Sequence, residues 1–104
     1  MTAEYTPFVG AYILDGHTPV PCHDIKKWAK QFEIADRRVA QEKIGDASVS
    51  TVFLGIDHGF GGKPMLFETM VFGGPLDQEM DRYGTWDEAV AGHKTMVERI
   101  GLED

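Results

Sequence analysis

SVSTVFLGIDHGFGGKPMLFETMVFG, residues 48–73, is the stretch on which the fold turns. Residues 48–57 and 65–73 are dense in β-branched and aromatic side chains that alternate in steps of two, the pattern of strands. On the first run Val52, Leu54 and Ile56 share one face and Val49 and Phe53 the other. On the second, Leu66, Met70 and Phe72 alternate with Met65, Phe67 and Val71. Both faces are apolar, so helices are expected over one, and a further layer, such as a second copy of the chain, over the other.

The joint between these runs, His58 to Pro64, invites comparison with a phosphate cradle. A P-loop needs a leading glycine where Asp57 stands, Ser or Thr after the lysine where Pro64 stands, and a helix where a strand follows. The dinucleotide spacing G-x-G-x-x-G fails at Pro64 as well. A glycine-rich hairpin loop is the better reading. Its polar members Asp57, His58 and Lys63, with Glu68 beyond, form the alternative candidate: a ligand loop, or a small enzymatic site with His58 and Glu68 as acid or base.

Working outward, residues 37–44 could prolong the preceding helix, but Gly45-Asp46 is a turn pair leading straight into the strand at 48, which favours a polar edge strand. On it Arg38 and Glu42 would share one face, opposite Arg37, Gln41 and Lys43. Before it, Ile25, Trp28, Ala29, Phe32 and Ala35 recur at helical spacing, with Asp24 placed as the N-cap. Residues 8–14 read as a first strand ending at Asp15-Gly16. Residues 17–22, with Pro19 and Pro21, read as an extended connector, and residues 1–7 as a loose arm.

On the other side, Gly73-Gly74-Pro75 ends the second run and an acidic loop is expected up to Gly84. Thr85-Trp86-Asp87-Glu88 is a capping box, opening a helix whose apolar stripe is Trp86, Ala89, Val90, His93, Met96, Val97 and Ile100, with Gly101 as its stop. The whole is one α+β domain of 104 residues, ordered strand, helix, three-strand meander, helix: an antiparallel sheet of about four strands with two amphipathic helices on one face.

The chain carries a formal charge of −7, most of it in residues 53–104, where 4 Lys+Arg meet 10 Asp+Glu. Asp77, Glu79, Asp81, Asp87 and Glu88 are offset locally only by Arg82. Such a surface repels nucleic-acid backbones and suits a basic protein partner, to which these five residues would be the contact. No apolar run reaches the length of a membrane span and no secretory signal pattern opens the chain, so a cytoplasmic protein is expected. The single Cys22 suits a reducing compartment.

Cys22 precedes a helix N-terminus beside His23, where a thiolate would be favoured, yet a lone cysteine is more often a small buried hydrophobe. Cys22, His23, Asp57 and His58 lack metal-ligand spacing, so no metal and no cofactor is implied. His93, inside an apolar stripe, reads as a hydrogen-bonded core or half-buried histidine. Glu68, on an apolar strand face, would need a partner, for which Arg37 and Arg38 are the nearest choices, or a raised pKa.

Three blocks, PVPCHDIKKWAKQFEIADRRVA, VSTVFLGIDHGFGGKPMLFETMVFGGPLD and TWDEAVAGHKTMVERI, resemble a group of small tailed-phage and prophage proteins of unknown function. The likeness runs from about residue 12 to residue 100 and is most specific in FETMVFGGPLD. It implies expression in an infected bacterial cytoplasm and brings no catalytic residues. The leading expectation is an acidic accessory protein that acts by protein–protein contact, as a homodimer. A DNA-mimicking inhibitor of a nucleic-acid-binding protein is the third alternative.

Overall fold

A computed structural model describes residues 10–34, 37–59 and 61–103. The proposed arm at 1–7, Phe8 and Ala35 lie outside them. Eight elements follow in order: β1 (Tyr12–Asp15), β2 (Thr18–Pro21), α1 (Ile25–Ile34), β3 (Arg38–Ile44), β4 (Ala47–Phe53), β5 (Phe67–Phe72), β6 (Met80–Tyr83) and α2 (Trp86–Glu103). The chain is an α+β fold with a two-stranded sheet, β1-β2, and a four-stranded antiparallel meander, β3-β4-β5-β6.

Residues 17–22 are therefore not a mere connector. β2 pairs with β1 (Tyr12↔Pro21, Leu14↔Pro19), and the N–H of Cys22 continues the ladder to the Ala11 carbonyl at 2.9 Å. In an antiparallel pair only alternate residues donate inward. With Cys22, Val20 and Thr18 in that phase, Pro19 and Pro21 fall where no N–H is needed. The expected first strand thus folds back as a hairpin instead of becoming the fourth strand of the main sheet. That place belongs to β6, whose residues Met80–Tyr83 were expected as acidic loop; pairing with β5 (Met70↔Met80, Phe67↔Tyr83) overrides the unfavourable strand propensity of Asp81.

The hairpin is fastened to the meander just past β4. The Gly55 carbonyl accepts both the N–H of Tyr12 (2.8 Å) and the indole N–H of Trp28 (3.1 Å), and Asp57 N–H donates to the Gly10 carbonyl (2.9 Å). Helix α1 is clamped to β1 by one amide: Gln31 Oε1 accepts from Leu14 N–H at 2.9 Å and Gln31 Nε2 donates to Leu14 C=O at 3.0 Å. As read, Asp24 caps α1, accepting from Lys26 and Lys27. The two helices do not share a layer: α1 packs on β1, and α2 lies across all four strands of the meander.

Residues 38–44 form an edge strand, as the Gly45-Asp46 turn indicated. A bulge between Arg38 and Ala40 inserts one residue, so Arg38 (opposite Val52) and Glu42 (opposite Val49) point to opposite faces, not the same one. Helix α2 begins at the capping box: Glu88 N–H donates to Thr85 Oγ1 (3.1 Å), and Thr85 N–H to Glu88 Oε1 (3.2 Å). It continues through Gly101 to Glu103, because Gly101 keeps an ordinary negative φ and does not take up the left-handed stop.

Helix α2 buries Ala89, His93, Met96 and Ile100 against the sheet face formed by Val49, Thr51 and Phe53 of β4 and Phe67, Thr69 and Val71 of β5. Val90, expected in the stripe, is 47% exposed. Two apolar clusters result. One holds Ala47, Val49, Val71, Met96 and Ile100; the other holds Phe53, Leu66, Phe67 and Ala89. Each fully buried Phe or Val contributes on the order of 1.5–3 kcal/mol. Between the clusters lies a polar layer made of Thr51, Thr69 and His93.

Candidate functional site

The glycine loop is held by Asp57. Its Oδ1 accepts the N–H groups of Gly59 (2.7 Å) and Met65 (2.9 Å), closing the loop across its base. These bonds, Met65 first and Gly59 second, hold the carboxyl below its ordinary range, helped by nearby His58 and opposed by partial desolvation. Gly59 is required because a Cβ there would lie 2.8 Å from the Lys63 carbonyl. His58 is exposed and contributes a backbone bond to Met65 C=O (3.0 Å). Asp57 closes the loop, His58 is exposed, Glu68 is paired on β6, and Lys63 lines a cleft.

Glu68 has its partner on β6, not among the residues expected for it. Its Oε2 accepts from Arg82 Nε at 3.0 Å, directly across the β5–β6 ladder. Arg82 lies on β6, a strand that its acidic neighbours conceal in the sequence, and so becomes the cross-strand neighbour of Glu68. Arg37 instead donates to the Phe53 carbonyl at 3.3 Å. Cys22 is 4% exposed and its thiol donates to the Asp24 carbonyl at 3.4 Å, the environment of a packed residue. His23 is exposed. No group of three or more His, Cys, Asp or Glu positioned to hold a metal occurs among the described residues.

The five acidic residues divide by role. Asp77 Oδ1 accepts from Gly73 N–H at 2.6 Å, Glu79 pairs with Arg99 at 3.4 Å, and Glu88 serves the capping box and the Gly84 N–H. Asp81 and Asp87 are exposed, the first on edge strand β6 and the second in the first turn of α2.

The polar layer was foreseen only at His93. His93 is 3% exposed, with Nδ1 2.7 Å from Thr51 Oγ1 and Nε2 2.9 Å from Glu42 Oε1. Thr51 and Thr69 hydroxyls meet at 2.5 Å, and Tyr83 Oη donates to Thr69 Oγ1 at 3.2 Å. A carboxylate only accepts, so Nε2 donates to Glu42; in the tautomer with that single ring proton, Nδ1 accepts from Thr51, Thr51 from Thr69, and Thr69 from Tyr83. In that tautomer the donors run in one direction, Tyr83→Thr69→Thr51→His93→Glu42. Burial, together with the charge of Asp81, raises the Tyr83 phenol above its ordinary pKa, against a lowering contribution from the Thr69 bond.

The order acid, imidazole, hydroxyl is that of a nucleophile triad, but the chemistry does not follow. Thr51 is 0% exposed in the middle of a sheet under α2, so no electrophile can approach Oγ1. The arrangement satisfies buried polar groups and fixes the registry of α2 on the sheet. One clue was present in the sequence: Thr51 and Thr69 fall in the same phase as Phe53 and Phe67.

The concave surface lies where the β1–β2 hairpin, the 63–66 segment and the start of α2 meet. One lobe of about 230 Å³ is lined by Lys63, Met65, Arg82, Tyr83, Gly84 and Glu88. A second, of about 310 Å³, shares Lys63 and Gly84 with it and adds Tyr12, Pro19, Pro64, Leu66 and Thr85. The walls are held together by His17 of the hairpin turn, stacked on Trp86 at 3.7 Å between ring centroids and 5° between planes, while Trp86 meets Phe67 edge-on. Comparison with protein families, with curated proteins and with solved structures found no match. No helix among the described residues is long and apolar enough to cross a membrane.

Proposed function

We propose that this chain is a non-enzymatic accessory protein of phage or prophage type, acting in the bacterial cytoplasm by binding a basic protein. The observation that carries the reading is the sheet face opposite α2. Phe72 is 54% and Met80 41% exposed there, close to half-buried Met70, which lies directly opposite Met80. Asp77, Glu79 and Asp81 neighbour this strip in the chain, but Asp81, opposite Thr69, and Glu79, paired with Arg99, lie towards α2. An exposed apolar strip on a chain of net charge −7 fits a partner segment with apolar anchors and basic residues around them.

A synthetic amphipathic peptide of alternating leucine and lysine turns is a suitable probe. Calorimetric titration should show saturable binding that weakens as salt rises and is lost in Phe72→Ser. Equal binding by the variant, or none by the native chain, contradicts the reading. A concentration-dependent dimer that buries Phe72 would instead assign the face to a second copy, the homodimer expected from the doubly apolar strands.

A further inference from the structure

We propose that the cleft between the β1–β2 hairpin and the start of α2 binds a small organic anion, a carboxylate or phosphate monoester on a compact apolar body. This site is separate from the sheet face and does not depend on the protein-binding reading.

Two cations line the 230 Å³ lobe. Lys63 is exposed and makes no ion pair among the described residues. Arg82 meets Glu68 through Nε alone, at 3.0 Å. No hydrogen bond among the described residues uses its two terminal nitrogens, which can present a planar fork to a carboxylate or phosphate. The one acid in the wall, Glu88, already has Oε1 committed to the N–H groups of Gly84 and Thr85 at 3.1 and 3.2 Å. In a chain of net charge −7, two cations thus face one hollow whose single lining acid has one oxygen already engaged.

The adjoining lobe supplies the other half of the recognition. Tyr12, Pro19, Pro64 and Leu66 give it apolar walls, and Lys63 and Gly84 belong to both lobes, so an anionic head at the cations would place its body against these side chains. Tyr83 turns its hydroxyl inward to Thr69, at 3.2 Å, and so leaves the cleft mainly ring carbon. Lobes of about 230 and 310 Å³ match a ligand the size of one substituted ring. Gly84 keeps the space open: a Cβ there would come 2.9 Å from the Pro64 carbonyl.

The test is a ¹H–¹⁵N NMR titration of the full chain with phenyl phosphate, benzoate, inorganic phosphate and benzyl alcohol in parallel. Saturable shifts at Leu66, Arg82, Tyr83 and Gly84 are expected with phenyl phosphate or benzoate, and weaker or no effects with the two half-ligands. Lys63→Ala, an exposed loop change that leaves the fold intact, should weaken binding by about tenfold, the worth of one charge-assisted bond. Lys94→Ala, on the exposed side of α2, should not. The proposal is overturned if neither aromatic anion saturates these resonances, if benzyl alcohol binds as well, or if Lys63→Ala binds unchanged.

Discussion

The Nδ1 atom of His93 lies 2.7 Å from the Thr51 hydroxyl, joining α2 to the centre of the sheet through a bond that no water can replace. Thr51→Val keeps the shape and removes the donor, leaving a buried ring nitrogen and the Thr69 hydroxyl short of a partner. A loss of about 1–3 kcal/mol is expected in urea unfolding. Glu42→Gln, at the other ring nitrogen, should cost less than about 1 kcal/mol, because Glu42 is 55% exposed and water can substitute. Equal losses would contradict the difference in burial between the two ends of the layer.

Gly92 sits in the interior of α2, where alanine would ordinarily gain about 1 kcal/mol. Here the Tyr83 ring occupies the place of the missing Cβ. Gly92→Ala should therefore destabilise, by about 1–3 kcal/mol. In a Tyr83→Ala background the same change should become neutral or stabilising. A double-mutant cycle measured by thermal unfolding reads this reversal of sign.

Asp57 supplies an acid dependence. Its carboxyl is held below the unfolded value by the Met65 and Gly59 N–H groups, so the folded chain binds this proton less readily than the unfolded one. The contribution is complete above the unfolded pKa, near 4, and is lost as pH falls through the folded value. Asp57→Asn should lower stability at neutral pH and flatten that part of the acid unfolding curve. An unchanged slope below about pH 4 would show that the loop is closed by other means.

Much of this architecture was legible because local signals and tertiary demands agree. The alternation in β4 and β5, the Thr85–Glu88 box and the Gly45-Asp46 turn each specify one geometry. Where the reading failed, long-range pairing had outweighed local preference. Pro19 and Pro21 disguised β2, since their tolerance depends on which N–H groups face β1. Asp81 and Arg82 disguised β6, and with it the partner of Glu68. Thr51 and Thr69 looked like polar interruptions of apolar strands; only the arrival of His93 from a residue separation of 42 makes them a layer. The cleft combines three separate segments, so no contiguous motif announced it.

The protein-binding account is tested most directly by photo-crosslinking in bacterial cells, with a benzophenone side chain placed singly at Phe72, Met80 or, as a control on α2, Thr95. Phe72 and Met80 should both capture the same protein, one with a basic surface, and Thr95 should not. Capture equally at all three positions, capture only of a second copy of the chain, or no capture at Phe72 and Met80 would contradict it.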